Sequence, residues 1–267
     1  MKKFLLICLF FSVNLSADTQ LKVLSTTSTR DSGLYDYIIP YFEEKFDIEV
    51  SVIATGTGHA INNAKQCNGD ILITHAKTIE EDFVKKGYGS SRSDLMYNDF
   101  VVVGPMKDPT NIKNSNKVSE VFDKIKNSQS KFVSRGDESG THLSELRIWN
   151  NAISSLPNAY IDKWYLESGQ GMGATLNIAV GLNAYTYTDR ATWLKFENKQ
   201  NHLILYANDE IMKNQYGIVK INPKYCMNIN HNASNLFYNW IVSEEGQDLI
   251  GSYKLNNQVL FKPNYNN

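Results

Sequence analysis

Four short segments of this chain group hydroxyl residues with glycines. They are residues 25–29 (Ser-Thr-Thr-Ser-Thr), 55–58 (Thr-Gly-Thr-Gly), 135–141 (Arg-Gly-Asp-Glu-Ser-Gly-Thr) and 169–173 (Gly-Gln-Gly-Met-Gly). Each follows a strand-like apolar run and precedes a stretch with helical spacing. A helix N-terminus carries unpaired backbone N–H groups and about half a positive charge. Glycine lets backbone approach a ligand, and hydroxyls add rotatable donors. One such turn is an ordinary capped helix. Four in one chain, with few acidic residues among them, point to an anion-binding site.

The segment from Arg135 to Thr141 is the most informative. Arg135 offers a fixed fork of donors suited to an oxyanion. Ser139, Gly140 and Thr141 stand where a helix would begin, so hydroxyls and N–H groups can converge on the same ion. The competing arrangement is a surface pair of Arg135 with Asp137 or Glu138. Arg135-Gly136-Asp137 also matches an adhesion tripeptide, which three residues are too few to support.

These loops need a scaffold that holds them. Residues 21–24, 49–54, 70–75 and 99–104 read as strands, interleaved with helical spacing from Leu34 and over 60–67 and 79–86. After a polar crossover at 107–117 the rhythm restarts. Strands are expected at 131–134, 184–188, 202–206 and 216–221, with helices at 141–153, 174–182 and 232–250. This alternation predicts an α/β fold. The expected architecture is two lobes, each a mostly parallel sheet flanked by helices, with two crossings between them. Lobe 1 is expected to comprise 18–103 and 207–267, and lobe 2 residues 104–206.

The chain has 267 residues and 42% hydrophobic content, enough for two cores. Lys and Arg total 27 against 28 Asp and Glu, a formal charge of −1. There is no basic excess to hold a nucleic-acid backbone. Residues 1–17 open with Lys2 and Lys3, continue with an apolar run from Phe4 to Val13, and end on Ser16-Ala17. That pattern reads as a cleavable secretory signal and predicts a periplasmic protein, although Leu15 is not the small residue usual three positions before the cut. Cleavage removes both lysines and takes the charge from −1 to −3. It leaves Cys67 and Cys226, whose pairing the sequence leaves open.

The longer motifs resemble those of a known family. Residues 25–29, 134–142 (Ser-Arg-Gly-Asp-Glu-Ser-Gly-Thr-His) and 169–176 (Gly-Gln-Gly-Met-Gly-Ala-Thr-Leu) are similar to the tungstate-binding proteins of bacterial ABC importers. Residues 69–76 and 184–190 fit the same pattern, so the resemblance covers most of the mature chain. It implies the type II periplasmic-binding-protein fold, closing on an oxyanion in an interlobe cleft. It implies a solute-binding protein, not an enzyme, whose partners are the ion and a membrane permease, and which works as a monomer. By resemblance, the first lobe contributes Thr27, Ser28, Thr57 and Gly58. The opposite lobe contributes Arg135, Ser139, Gly140 and Thr141, with Gly171 and Met172 from the last turn. The ligand implied is tungstate or molybdate, with no cofactor and no metal cation. Ser25 departs from the family's run of three threonines.

The chemistry of the ion agrees. Tungstate and molybdate are unprotonated tetrahedral dianions at neutral pH and accept hydrogen bonds only. Their site should present donors alone, because a desolvated charge is costly unless every oxygen is paired. Phosphate keeps a proton and rewards an acceptor, and Asp137 is placed to be one, so phosphate is the alternative ligand. A secreted hydrolase using Ser139 is a remoter alternative. It lacks the Gly-x-Ser-x-Gly elbow, and Ser139 and His142 are poorly spaced for a nucleophile and base. The glycine turns lack dinucleotide spacing. His59, His75, His142, His202 and His231 show no metal-ligand spacing. His75, at the end of an apolar strand, reads as a satisfied interior residue.

Overall fold

A computed structural model describes residues 19–152 and 156–266. The expected signal segment, 1–17, lies outside the described residues. In chain order the elements are β1 (Gln20–Thr26), α1 (Thr27–Asp31), α2 (Leu34–Phe46), β2 (Glu49–Thr55), α3 (Thr57–Lys65), β3 (Ile71–Thr74), α4 (Lys77–Lys85) and β4 (Gly89–Pro105). Then come α5 (Val118–Asn127), β5 (Phe132–Ser134), α6 (Gly140–Ala152), β6 (Tyr165–Glu167), α7 (Met172–Gly181), β7 (Tyr185–Asp189), α8 (Arg190–Lys195) and β8 (His202–Tyr206). The chain ends with β9 (Lys213–Ile221), α9 (His231–Ile241), α10 (Glu244–Ser252) and the two-residue strands β10 (Lys254–Leu255), β11 (Gln258–Val259) and β12 (Lys262–Pro263).

The strands order as β2-β1-β3-β9-β4-β7-β5-β6. The outer three at each end are parallel, as the βα rhythm implies. Between them β9 and β4 run antiparallel to their neighbours, so the sheet is mixed rather than mostly parallel. β4 is the shared element. Its first part, Gly89 to Asp99, pairs with β9, and Phe100 to Val103 pair with β7. The change of partner separates two lobes with separate cores. One is built on Leu21, Ile38, Phe42, Ile71, Ile218 and Phe237, the other on Phe122, Phe132, Trp149, Tyr165 and Tyr187. Among the described residues no helix is long and apolar enough to cross a membrane.

Several elements differ from their sequence-based expectation. The strand expected at 99–104 begins ten residues earlier. Its first part is polar, and Arg92 there is buried only because Glu80 and Asp94 pair with it. The helix expected over 232–250 is two. Ser243 breaks it, donating to the Trp240 carbonyl at 2.6 Å and accepting from the N–H of Gly246 in the first turn of α10. Helix α5, with Val118, Val121, Phe122 and Ile125 on its buried face, falls in a stretch left unassigned, as does the short β6. Cys67 and Cys226 form a disulfide, Cα–Cα 5.6 Å, that ties the end of α3 to the loop after β9.

Candidate anion-binding site

The hydroxyl cluster at 25–29 is not one loop. Ser25 ends inside β1, buried, with Oγ 2.6 Å from the Tyr35 hydroxyl, so its side chain serves packing. Thr26 is the N-cap residue of α1, but its Oγ1 meets Thr29 Oγ1 at 2.7 Å and Ser28 Oγ at 3.2 Å rather than capping the helix. Thr27 and Ser28 occupy the first turn and are partly exposed. In β2, Thr55 lies opposite Thr26, so both chains leave adjacent parallel strands at the same end. Gly56 then starts α3 with no side-chain cap, and Thr57 is nearly buried beside exposed Gly58. The third strand, β3, ends next to them at Thr74 and delivers His75. This is the carboxyl edge of a parallel sheet, where α/β folds place ligands.

The second lobe repeats the arrangement. Arg135 follows β5 directly. The turn at Ser168 and Gly169 lies beside it, donating backbone N–H groups to the Ser134 and Arg135 carbonyls at 2.9 Å each. Gly136 has φ +60, and a Cβ there would lie 2.6 Å from the Glu167 side chain, so glycine is required. Ser139 precedes α6, and its Oγ accepts from the His142 N–H at 3.3 Å. Gly140 and Thr141, in the first turn, have N–H groups with no intrahelical acceptor. Gly171 starts α7 without a side-chain cap. Met172 buries its side chain against Val101, Val103, Leu176 and Trp193, which leaves only its backbone for a ligand.

Capping differs among the helices. Asp189, Asn230 and Ser243 cap α8, α9 and α10 with side-chain acceptors. Among the described residues the N-termini of α1, α3 and α7 have none, and neither do those of α2, α4 and α5, so what sets the first three apart is the hydroxyl- or glycine-rich segment that leads into them.

His75 joins the two halves. Its Nε2 stands 3.4 Å from Ser28 Oγ, its ring lies against Tyr216 at 5.1 Å, and its other edge abuts Gly140. Burial pushes its pKa down to about 4 against the pull of Asn214, and the nearby Arg135 charge acts with burial. The ring is therefore neutral at pH 7, and among the described residues its buried Nδ1 has no well-formed hydrogen bond. From sequence it reads as a satisfied interior histidine; it stands instead at the interlobe junction, only loosely bonded. A cavity of about 280 Å³ opens beside it, lined by Lys77 and Asn214 from the first lobe and by Gly140 and Arg147 from the second.

Arg135 is largely buried, with its side chain 12% exposed. Nη2 donates to Asp137, while Nε is buried without a partner among the described residues. The pair expected as a surface alternative thus forms, but below the surface and with part of the guanidinium still unsatisfied. Three carboxylates of this lobe are engaged, while Glu138 and Glu167 are exposed. Asp137 also accepts from the Ser139 N–H at 3.2 Å. Asp189 accepts from Thr192 N and Oγ1 at 2.8 and 2.6 Å. Glu145 accepts from Ser134 Oγ at 2.7 Å, Tyr165 OH at 2.9 Å and Trp149 Nε1 at 3.0 Å. On the other lobe, Glu80 accepts from Thr74 Oγ1, the Ala76 N–H and Arg92 Nε. Two buried glutamates thus hold the two strand ends from which His75 and Arg135 project.

Neither ring nitrogen of His142 bonds Ser139: Nδ1 accepts from the Glu138 N–H at 3.1 Å, and Nε2 has no partner. The nucleophile–base contact a hydrolase needs is missing from this pair. Among the described residues no group of His, Cys, Asp and Glu is arranged to hold a metal ion.

Residues 14–245 match the model of the PBP superfamily domain. A protein of Peptoclostridium acidaminophilum named tungstate-binding protein TupA is 41% identical over 244 residues, covering 90% of this chain and 84% of that protein. The solved tungstate-binding protein TupA of Desulfovibrio alaskensis G20 superposes with a TM-score of 0.83 at 39% identity, over 92% of this chain and 99% of that one. The structure described as the tungstate ABC transporter from Geobacter sulfurreducens gives 0.81 at 38% identity, over 89% and 100%. With this fold, these uncapped helix N-termini and these relatives, the chain belongs to the PBP superfamily and, within it, to the TupA family.

Proposed function

We propose that this protein captures tungstate between its two lobes and delivers it to the permease of an ABC importer, without chemistry on the ion. Molybdate, of the same charge and nearly the same size, is the second ligand of this reading. The observation that carries it is Arg135 itself: it is largely buried, close in sequence to the hydroxyl- and glycine-rich start of α6, and its Nε has no hydrogen-bond partner among the described residues. An unprotonated dianion matches a site of donors, and it offsets the guanidinium's burial. Phosphate is the less favoured ligand on this reading, since Asp137, the acceptor it would need, is taken up in holding Arg135 and the Ser139 N–H, though each of its oxygens keeps a free lone pair.

The residues we assign to the ion are Thr27, Ser28, Thr57, Gly58, Arg135, Ser139, Gly140 and Thr141, with Gly171 and Met172 acting through backbone N–H. The lobes we assign are 18–103 with 207–267, and 104–206. The change of partner along β4 and the return of the chain through β9 support two crossings. Secretion through the segment 1–17 places the mature monomer in the periplasm, where a disulfide persists.

A thermal-shift panel with tungstate, molybdate, phosphate and sulfate tests the proposal. Ligand at about 1,000 times its Kd adds roughly 4 kcal/mol to the folded state. Tungstate should raise the Tm by many degrees and phosphate by little. A shift with phosphate alone would reassign the ligand.

A further inference from the structure

We infer that His75 is the closure contact of the anion site, a positioning residue on which Gly140 of the opposite lobe seats. This inference rests on the proposed binding of an oxyanion between the lobes.

His75 projects from the end of β3 in the first lobe. Gly140 is the first residue of α6 in the second. A Cβ built on Gly140 would lie 2.5 Å from His75 Cε1 and 2.8 Å from Nδ1, and its three nearest atoms all belong to that ring. Real Cβ atoms do not approach so closely, so a side chain at 140 and the ring at 75 exclude each other in this arrangement. The backbone is not the reason for glycine here, because Gly140 has no positive φ. Alanine would suit the first turn of α6 at least as well. The ring itself cannot easily move aside. Tyr216 packs on it, and Tyr216 is held by Asn214 at 3.1 Å and Asn98 at 3.4 Å. Ser28 stands at its other nitrogen.

Two consequences follow for binding. Seating on the ring brings the Gly140 and Thr141 N–H groups, and Arg135 before them, up to the loop that carries Ser28. The ring also sets how far the lobes approach, and so the size of the ion that all donors reach together. A neutral imidazole suits this place, since it offers a rigid face and an N–H without adding a second carboxylate-seeking charge beside Arg135.

The test is a double-mutant cycle on the mature protein, with sodium tungstate titrated calorimetrically into wild type, Gly140→Ala, His75→Ala and the double variant. Gly140→Ala should weaken binding by roughly tenfold to a hundredfold, the range that an overpacked contact costs. His75→Ala should weaken binding in the glycine background and strengthen it in the alanine background. That reversal of sign is a readout a merely structural role would not give. Apo melting curves of Gly140→Ala, expected at or above wild type, separate loss of closure from loss of folding. Equal affinity of Gly140→Ala and wild type would overturn the inference, as would a His75→Ala effect of the same sign and size in both backgrounds. Failure of the wild type to bind tungstate would instead strike the functional reading, and the cycle would be repeated with whichever oxyanion binds.

Discussion

Arg135 donates through Nη2 to Asp137, two residues along the chain, while its Nε lies buried with no hydrogen-bond partner among the described residues. The carboxylate therefore orients the guanidinium without exhausting it. The Nε donor is dehydrated, on a loop whose conformation Gly136 and the Ser134–Glu145 bond hold in place. A cation so arranged favours a ligand that brings negative charge and asks for no proton in return.

Asp137 supports Arg135, and the proposed function gives it no contact with the ion. Asp137→Asn should leave the preference for tungstate over phosphate within about threefold of wild type, well under the tenfold that 1.4 kcal/mol represents. Competition titration with the two ions checks this. A swing of the preference toward or away from phosphate by more than about tenfold would make Asp137 an acceptor in the site.

The Cys67–Cys226 disulfide closes a sequence separation of 159 and lies wholly within the first lobe. Replacing both cysteines by serine should cost about 2–5 kcal/mol of stability. Cys67 stands beyond the far end of α3 from Thr57, about 13 Å of helix away, so tungstate affinity should change little. Denaturant unfolding and calorimetric titration of the variant measure the two effects separately.

Burial pushes the Glu145 carboxyl up to about 7, against the pull of the hydrogen bonds from Ser134, Tyr165 and Trp149. An unfolded glutamate titrates near 4.3. A group raised in the folded state contributes stability that is fully present below its unfolded value and is lost as pH rises through its folded value. Glu145→Gln is nearly isosteric and removes the titration. The stability of wild type relative to this variant should fall as pH rises from about 4 to about 8. Thermal unfolding across that range decides it, and parallel curves would show that Glu145 titrates alike in the folded and unfolded states.

The loops of the candidate site were legible because they are local. Glycines and hydroxyls between strand-like and helical spacing mark strand-to-helix turns from sequence alone, and the loops at 55–58, 135–141 and 169–173 lie between a strand and a helix as expected. Long-range pairing was harder to read. Ser25 looks like its neighbours in sequence, yet its hydroxyl is spent on Tyr35. His75 ends an apolar run and reads as core until Ser28, Tyr216 and Gly140 arrive from three other elements. Its one local signal is a ring at the end of a buried strand, next to a loop. The buried glutamates follow the same logic: Glu80 and Glu145 sit on amphipathic helices, and nothing near them in sequence announces the hydroxyls they hold. Strand β4 escaped for a related reason, since its polar half is buried by partners distant in the chain.

The most direct measurement is calorimetric titration of sodium tungstate into the mature protein and its Arg135→Ala variant, each repeated with phosphate. Truncating one partner of a buried, hydrogen-bonded charge pair costs about 2–5 kcal/mol. The account predicts tight one-to-one tungstate binding by wild type, little phosphate binding, and a loss of roughly thirtyfold or more in the variant. Unchanged affinity on removing Arg135, or phosphate bound more tightly than tungstate, would contradict it.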